Sequence, residues 1–466
     1  MPSNGTTKHL QPAALIIPEL KELLHQEDFV TLKQCLREIH PVDMADRWER
    51  FEPEEQVRIF QLLGTAAAVK LFESISPDDQ RFLLMTLGDE SAPVIEGLAP
   101  ADVARLFHRL PKRVVKKLAG LVKREESLQK IQLMMTFPSG TAGSLMHPEF
   151  IKLTPQTTAK QALEILQAVA RPHQAGHIYA LYVTNGQGAL LGSLTIQDLI
   201  GAPSDARLSE LMGSVDAIQI PATMDQEEVA RRFAKYDLVH APVVDEAGHL
   251  IGVLTVDDII DVMRQEASED IAKMAGTQAE EFRVHSIFRT VRLRLPWLVA
   301  TILGEFLVSM VIKSHEGTLQ QVVALASFMP LIAAMGGNVG AQSATIVVRS
   351  LALGHLKRGQ WWKATSFEFA VGTVLGMTYG LVVGGFAYVL YGTQLGWHFS
   401  FVVGLGMLIS MTVASTMGAI EPFVFQAFGI DPATATGPLI TTTTDLISTS
   451  SYLLIGTVVL LGGKLW

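Results

Sequence analysis

Five stretches of this sequence are apolar over the length that an α-helix needs to cross a lipid bilayer. About 20 predominantly apolar residues span the hydrocarbon core. The five stretches lie at roughly 297–313, 320–349, 365–391, 399–427 and 434–463. From Pro296 to the C-terminus the chain carries only six acids and six bases. The sequence therefore predicts an α-helical membrane domain of five transmembrane helices over residues 296–466.

The charged residues between these stretches predict their orientation. Loops on the cytoplasmic side of a membrane carry an excess of Lys and Arg. The loop between the second and third stretches carries Arg349, Lys357, Arg358 and Lys363, whereas YGTQLGWHFS between the third and fourth carries no Lys or Arg. This distribution fits five spans in the cell membrane, with the N-terminal domains in the cytosol and the C-terminus outside. Hydropathy alone also allows four or six spans.

The third stretch contains glycines at strict four-residue spacing. They are Gly372, Gly376, Gly380 and Gly384. Small residues at this spacing form one face of a helix and let two helices approach closely in lipid. We expect this face to pack against a neighbouring helix.

The residues before Pro296 form an acidic portion of different character. They hold 40 acids and 31 bases, so the whole net charge of -9 lies there. Proteins that bind nucleic acid need clustered Lys and Arg, so this balance argues against nucleic acid and favours cations as partners. The one cysteine, Cys35, excludes an intramolecular disulfide and a site built from several cysteines. The first ten residues contain no signal-peptide core, which predicts a cytosolic location for this portion.

Residues 1–140 are predicted to form an all-α domain. Segments such as EQVRIFQLL and ADVARLFHRL place apolar residues at i, i+3 or i+4. Prolines separate several of these segments: Pro41, Pro53, Pro77, Pro100 and Pro111. A series of short amphipathic helices is typical of helix pairs stacked as a superhelix.

An internal repeat with a period of 60 residues follows. LYVTNGQGALLGSLTIQDLI at 181–200 aligns with APVVDEAGHLIGVLTVDDII at 241–260. Each half has two β-rich runs joined by a Gly-containing turn and followed by a helix. The repeat resembles a tandem pair of CBS domains, here 141–203 and 204–262, whose α/β modules often sense adenine nucleotides or ions.

In the CBS family a T-x-x-D pattern can hold a ribose. The matching residues are Thr195 with Asp198 and Thr255 with Asp258. The resemblance therefore implies a site for ATP or another adenine nucleotide at the CBS pair. Both aspartates also suit the alternative role of capping the helix that follows.

Residues 263–295 are predicted to form a mainly helical connector, acidic at first and basic in its last third. In a helix, its acids and those at the end of the second repeat recur at i, i+3 and i+4, where like charges repel. These acids are Asp257, Asp258, Asp261, Glu266, Glu269 and Asp270, and Glu227, Glu228 and Asp237 lie earlier in the repeat. One interpretation is a solvated acidic face. The other is an ion sensor, in which divalent cations screen the acids and favour one conformation.

Asp445 is an ionisable acid near the middle of the last apolar stretch. A carboxylate at this depth costs several kcal/mol unless water, a cation or a partner meets it. Spans two to five carry basic residues only near their ends, so a salt bridge has no obvious donor. Hydroxyls of Thr441 to Thr444 and Ser448 to Ser451 suit the alternative of a neutral, hydrogen-bonded acid. A cation pathway with Asp445 as the ion-binding acid is the favoured interpretation.

The second stretch holds GGNVGAQS, which can place further oxygen ligands at membrane depth. Gly336, Gly337 and Gly340 allow irregular backbone, and Asn338 and Gln342 add amide oxygens. Irregular backbone at this depth is tolerated where it is buried in protein or lines a water-filled cavity. We expect these groups to face a hydrated ion.

The chemistry of these donors favours Mg²⁺. Hard oxygen ligands without cysteine and with few histidines disfavour zinc and copper. Mg²⁺ gives up its water reluctantly, so one or two carboxylates usually hold it together with several of its waters. Two chains related by a two-fold axis would bring two Asp445 side chains to one pore.

Together these segments resemble the MgtE family of magnesium channels and transporters along nearly the full chain. The strongest matches are MPLIAAMGGNVGAQSATIVVRSLALG and DPATATGPLITTTTDLIS. The resemblance implies a homodimer in the lipid bilayer, with Asp445 at the position of the pore aspartate that binds hydrated Mg²⁺. It implies that the connector is a plug helix and that Mg²⁺ closes the channel by binding cytosolic acids. These acids are Glu227, Asp237, Asp258, Asp261, Glu266, Glu269 and Asp270.

The N-terminal domain departs from the family pattern. The family often has two acids after a proline, whereas this chain has Ala101 and then Asp102, which leaves Asp102 as the candidate metal ligand. Arg105, His108 and Arg109 lie in a segment that is often acidic. We therefore expect Mg²⁺ gating to be weaker here, or to rely more on the acids of the CBS pair and connector.

Alternative functions stay open at this point. A membrane metalloprotease needs H-E-x-x-H, but no second histidine follows His315-Glu316 at that spacing. The sequence also lacks a Walker loop, which disfavours a pump driven by ATP hydrolysis. A transporter of Co²⁺ or Mn²⁺ and a non-conducting membrane receptor are the remaining alternatives.

Overall fold

The computed structural model describes residues 13–170, 180–283 and 286–462. The chain divides into two compact units, Met1–Val262 and Met263–Trp466. The first ten residues, for which the sequence predicts no signal peptide, lie outside the described residues. The first unit holds the helical region and the repeat, and the second holds the apolar stretches.

The described part of the first unit begins with ten short α-helices, which confirms the predicted all-α region. Helices α1 to α10 are Ala13–His25, Phe29–Glu38, Pro41–Ala45, Pro53–Leu62, Thr65–Ser74, Pro77–Leu87, Ala92–Gly97, Pro100–His108, Lys112–Ala119 and Glu125–Met135. Proline begins α3, α4, α6 and α8. At the first position of a helix the backbone N–H makes no intrahelical hydrogen bond, so its absence in proline costs nothing there. Alternate helices pack together, α3 on α5, α5 on α7 and α8 on α10, as in a stacked superhelix.

The two halves of the repeat fold in the same way, which confirms the repeat. Strands β1 to β6 are Lys152–Leu153, Ala180–Thr184, Leu190–Thr195, Ile220–Pro221, His240–Val244 and Leu250–Thr255. They form two three-stranded sheets, β1-β2-β3 and β4-β5-β6, each with one parallel and one antiparallel pair. Helices α11 to α15 are Ala142–Leu145, Ala159–Ala170, Ile196–Gly201, Leu208–Leu211 and Gln226–Tyr236.

A glycine recurs in each repeat because a methionine packs over it. A Cβ atom on Gly192 would lie 2.7 Å from Sδ of Met212, and Gly252 is covered by Met146 in the same way. Glycine inside a strand often marks such a close approach. Each methionine thus covers the sheet of the other repeat.

The predicted connector over 263–295 is not one helix. Helix α16 (Val256–Met274) begins at the end of the second repeat. It ends before Gly276, whose φ of 72° is the left-handed conformation that commonly terminates helices. A 3₁₀ turn at Ala279–Arg283 follows, and the next helix begins at Ile287.

Four helices of the second unit are long and apolar enough to cross a membrane within the described residues. Helices α17 to α21 are Ile287–Ser314, the short Glu316–Gln321, Ala324–Ala352, Trp361–Ala427 and Pro438–Leu460. Helices α19, α20 and α21 pack against one another, and α17 packs against α21. The predicted helical membrane domain is confirmed.

Helix α20 contains 67 residues, more than three times the roughly 20 that one span requires. Gly396 interrupts it with φ of 73° and ψ of -178°, a conformation open mainly to glycine. The segments on either side run antiparallel, because Gly376 faces Leu408 and Gly384 faces Ser400. The predicted third and fourth spans correspond to these two segments. The number of helices that cross the bilayer stays a prediction.

Glycine at position 380 is required by the close approach of the two α20 segments. A Cβ atom on Gly380 would lie 2.6 Å from the carbonyl oxygen of Gly404, whereas one on Gly385 would meet no atom within 4 Å. We expect Gly380→Ala to destabilise the protein by about 1–3 kcal/mol through overpacking. The measurement is the thermal unfolding midpoint in detergent. Gly385→Ala is the matched control, and equal shifts for the two variants would contradict this explanation.

Candidate ion-binding sites

Asp445 lies on α21, two helical turns after Pro438 begins the helix. Its side chain is half-buried. Gly337 of α19 faces it, since a Cβ atom on Gly337 would lie 3.9 Å from Oδ1 of Asp445 and 3.8 Å from Oγ1 of Thr444. Helix α19 is continuous there, so the carbonyl group of Gly337 is directed along the helix. Gly337 therefore contributes space beside the carboxylate and not a carbonyl ligand.

Several hydroxyls near Asp445 donate to groups other than its carboxylate. Thr444 donates to the carbonyl oxygen of Ile440 at 2.8 Å. Ser410 of α20 donates to Ser448 at 2.7 Å. Within the described part of the chain, no hydrogen bond joins the hydroxyls of this segment to the Asp445 carboxyl group. These contacts do not form the hydroxyl seal that would suit a neutral acid.

The prediction of irregular backbone in GGNVGAQS is wrong. Helix α19 continues through it, and carbonyls inside an α-helix are directed to the next turn. The glycines instead admit neighbouring helices. A Cβ atom on Gly336 would lie 2.6 Å from Oγ of Ser410, and one on Gly340 would lie 2.8 Å from Cγ2 of Thr444.

Asn338 and Gln342 are both exposed on α19. Their four-residue separation places them on one face of the helix. Amide groups at membrane depth need water or another protein surface to satisfy their hydrogen bonds. This unit therefore presents a polar face on the helix that packs beside Asp445.

Glu305 is a second acid near Asp445, and it was not among the predicted ion ligands. It follows Gly304, at which α17 approaches Thr442 of α21 closely. The Glu305 charge acts on the Asp445 carboxyl group. An acid inside the first apolar stretch was the signal that could have identified it.

Glu368 is a further acid of the membrane unit, and the protein itself satisfies it. It is 6% exposed. Ser343 of α19 donates to its Oε2 at 2.6 Å, and Ser415 donates at 3.1 Å to the same oxygen. Glu368 therefore joins α19 to both segments of α20 and differs from Asp445, which faces a glycine.

The end of α16 carries charged residues that meet the loop before α21. Nζ of Lys273 lies 2.6 Å from Oε1 of Glu269 and 2.6 Å from Oδ2 of Asp431. Burial acts to lower the pKa of Lys273, but hydrogen bonds and charge from these two carboxylates raise it overall. Burial raises the pKa of Asp270, and the nearby charge of Asp431 adds to that effect.

We call this group the connector cluster. It consists of Glu266, Glu269, Asp270, Lys273, Arg349 and Asp431. With four carboxylates and two cationic side chains, its formal charge is about minus two. That excess of negative charge is suited to attract a divalent cation, although no three of its carboxylates, which all lie in the described part of the chain, converge into one metal site in this conformation.

The chain directly after α16 contacts the start of α21. A Cβ atom on Gly276 would lie 2.6 Å from Cγ of Pro438. A Cβ atom on Gly437 would lie 3.0 Å from the carbonyl oxygen of Met274. The end of the acidic helix therefore touches the first turn of the helix that carries Asp445.

Asp258, a predicted metal ligand in the first turn of α16, is already engaged by protein groups. Its carboxylate accepts hydrogen bonds from Arg105 at 2.7 Å, from His147 at 2.8 Å and from Thr255 at 2.8 Å. Arg105 also pairs with Asp102, the other predicted ligand nearby. One guanidinium thus holds both carboxylates.

The remaining candidate ligands of the first unit do not converge. Asp237 caps the end of α15 with φ of 50° and is exposed, as are Asp257 and Asp261. Glu227 lies in the first turn of α15 and is half-buried. Over 13–170, 180–283 and 286–462, no three His, Cys, Asp or Glu side chains form a group that could hold a metal ion.

The two T-x-x-D pairs differ in accessibility. Thr195 donates to Oδ2 of Asp198 at 2.5 Å, the backbone N–H of Asp198 donates back at 3.1 Å, and both residues are exposed. Thr255 is buried, and the side chain of Asp258 is 8% exposed. Both aspartates lie in the first turn of a helix. The first pair is open to solvent and the second is not.

Family models match three parts of the chain. The model described as MgtE, a divalent cation transporter, matches residues 329–455. The MgtE intracellular N domain matches residues 39–140, and the CBS domain matches 142–205 and 208–265. The matched residues cover both units.

Similar proteins include two bacterial proteins named magnesium transporter MgtE. The one from Thermus thermophilus is 33% identical over 93% of this chain and 96% of its own length. The one from Bacillus subtilis is 29% identical over 93% of this chain and 95% of its own length. Among solved structures, the cytosolic domain of the Mg²⁺ channel MgtE in complex with ATP is 32% identical. The alignment covers 52% of this chain and 98% of the solved chain, with a TM-score of 0.49.

Proposed function

This chain belongs to the MgtE family of divalent cation transporters, and we propose that it is a magnesium channel that imports hydrated Mg²⁺ past Asp445. The observation that carries the proposal is the surroundings of that acid. Asp445 is half-buried beside Gly337, the Thr444 hydroxyl donates to a backbone carbonyl, and Ser410 donates to Ser448. A carboxylate in this position needs a cation to neutralise it or water to solvate it.

The space that Gly337 leaves supports binding through water. Mg²⁺ prefers oxygen ligands and retains several of its waters when few carboxylates hold it. Glu305 adds negative charge next to Asp445, and Asn338 and Gln342 supply exposed amides. We propose that these groups bind the outer surface of a hydrated ion.

A second copy of the chain would complete this pathway. The amide face of α19 is exposed in a single chain, and such a face at membrane depth needs water or protein. A two-fold axis would place two Asp445 side chains across one passage. We therefore propose that the protein acts as a homodimer.

The connector cluster is proposed to close the channel when cytosolic Mg²⁺ rises. Its excess negative charge is reduced when divalent cations bind or screen it. The end of α16 contacts the start of α21. A change in the cluster can therefore shift the position of the helix that carries Asp445. The mechanism requires that the closed state bind Mg²⁺ more tightly than the open state.

The first T-x-x-D pair is proposed as the position available to an adenine nucleotide. Thr195 and Asp198 are exposed, whereas Asp258 is held by Arg105 and His147. We expect Thr195→Ala to weaken binding of a fluorescent ATP analogue and Thr255→Ala to change it little. The opposite order, measured by fluorescence anisotropy on the full-length protein, would contradict this assignment.

Ion uptake into liposomes tests the function. Purified full-length protein in liposomes loaded with a Mg²⁺-sensitive dye should admit Mg²⁺ faster than protein-free liposomes. Equal rates for Co²⁺ or Mn²⁺ and Mg²⁺ would favour the broader transporter. No uptake at any internal or external Mg²⁺ concentration would favour the non-conducting receptor.

A further inference from the structure

Arg105 is a cationic side chain placed between two carboxylates from distant parts of the sequence. It lies on α8 and pairs with Asp102 in the first turn of the same helix. Its Nη1 also donates to Oδ1 of Asp258 on α16 at 2.7 Å. The two partners are separated by more than 150 residues of chain, so this contact joins the helical region to the second repeat.

The Asp258 carboxylate has little capacity left for another ligand. Oδ1 accepts from Arg105, and Oδ2 lies 2.8 Å from Nε2 of His147 and 2.8 Å from Oγ1 of Thr255. His147 is itself fixed, because its backbone exchanges two hydrogen bonds with Val253 at 2.7 and 2.9 Å. The donors come from α8, from the segment after α11 and from the end of β6. Three of the carboxylate's roughly four acceptor positions are therefore occupied, and the side chain of Asp258 is only 8% exposed, which leaves little room for a metal ion.

Electrostatics agree with this geometry. Burial acts to raise the pKa of Asp258, but His147, Arg105 and Thr255 together hold it well below its ordinary value. Burial likewise acts to lower the pKa of Arg105, but the two carboxylates raise it overall. The guanidinium is thus permanently charged and occupies the place between the acids.

We infer that Arg105 acts as a built-in cation that ties the N-terminal helices to the second repeat without any divalent ion. The contact between α8 and α16 is therefore independent of Mg²⁺. For gating, this inference rests on the proposed function. If Mg²⁺ closes the channel, the acids that respond to it lie outside this contact, chiefly in the connector cluster.

Hydrogen–deuterium exchange on the full-length protein in detergent tests the inference. Exchange of peptides covering residues 100–110 and 141–150 is compared in EDTA and in excess Mg²⁺. We expect less than about a twofold difference for the wild type, because local opening there breaks no ion-dependent contact. In Arg105→Gln we expect about tenfold faster exchange in EDTA, because the largely buried Asp258 carboxylate loses its permanently charged partner and keeps only His147 and Thr255. Added Mg²⁺ should partly restore protection in that variant.

Two variants serve as comparisons. Arg113→Gln removes an exposed arginine from the neighbouring helix α9 and should exchange like the wild type. Arg105→Lys keeps the charge but loses the forked donor geometry, so its exchange should lie between those of the wild type and Arg105→Gln.

Two results would overturn the inference. One is a tenfold or larger effect of Mg²⁺ on these peptides in the wild type. The other is an Arg105→Gln protein that exchanges like the wild type in EDTA. Neither readout depends on ion flux, so a failure here is separate from a failure of the transport proposal.

Discussion

Replacing Asp445 with asparagine should abolish most Mg²⁺ flux while leaving the protein folded. A carboxylate and a divalent ion about 5 Å apart attract each other by several kcal/mol at an effective dielectric constant of about 20. Each loss of about 1.4 kcal/mol is a tenfold change in an equilibrium constant. We therefore expect the initial rate of uptake into dye-loaded liposomes to fall by about 100-fold or more.

Glu316→Gln is the matched control for this experiment. Glu316 is an exposed acid at the start of α18, a helix that contacts α21 at Thr457, about three helical turns after Asp445. Its neutralisation should leave the uptake rate within about twofold of the wild type, as is usual for surface changes. Unchanged uptake in Asp445→Asn, with the same thermal unfolding midpoint as the wild type, would contradict the role of Asp445.

Neutralising the three acids of α16 in the connector cluster should free the channel from inhibition by cytosolic Mg²⁺. The variant combines Glu266→Gln, Glu269→Gln and Asp270→Asn. It reverses the sign of the cluster, because Lys273 and Arg349 then outnumber Asp431. A divalent cation is no longer attracted there. In liposomes with Mg²⁺ varied on the cytosolic side, we expect the half-inhibiting concentration to rise by about tenfold or more, the effect of losing a coupling free energy in the usual range.

A second triple variant distinguishes this local effect from a general loss of negative charge. Asp43→Asn, Glu49→Gln and Glu54→Gln remove three exposed acids from the N-terminal helices. Inhibition by Mg²⁺ should then match that of the wild type. If both triple variants shift the half-inhibiting concentration equally, the connector cluster is not the sensor.

Local sequence pattern predicted most of the architecture. Apolar runs gave the membrane helices, amphipathic periodicity gave α1 to α10, and the 60-residue repeat gave two sheets with the same register. These features depend on residues close together in the sequence. The acid at 445 was also visible locally, because a carboxylate inside an apolar run is costly wherever the run folds.

Features set by tertiary packing were missed. GGNVGAQS was expected to break α19, but its glycines admit Ser410 and Thr444 instead. The break occurs at Gly396, in the segment YGTQLGWHFS between the predicted third and fourth spans. Glycine permits both a bend and a close approach, so only the neighbouring helices decide between them.

Long-range charge pairing was likewise out of reach of the sequence. Asp258 and Asp102 were both predicted as metal ligands, yet Arg105 lies between them. Arg105 could be recognised in the sequence as a departure from an acidic pattern. Its pairing with Asp258 on α16 could not be predicted. Glu305 was overlooked because its significance depends on the packing of α17 against α21.

Competition by cobalt(III) hexaammine tests most directly whether Asp445 binds an ion that keeps its water. This complex resembles hydrated Mg²⁺ but does not exchange its inner ligands, so it can bind only through its outer surface. In liposomes containing wild-type protein, we predict that it inhibits Mg²⁺ uptake competitively, with the half-inhibiting concentration rising in proportion to Mg²⁺. Uptake that is unaffected by the complex at concentrations equal to Mg²⁺ would contradict the account, because the ion would then reach Asp445 without its water.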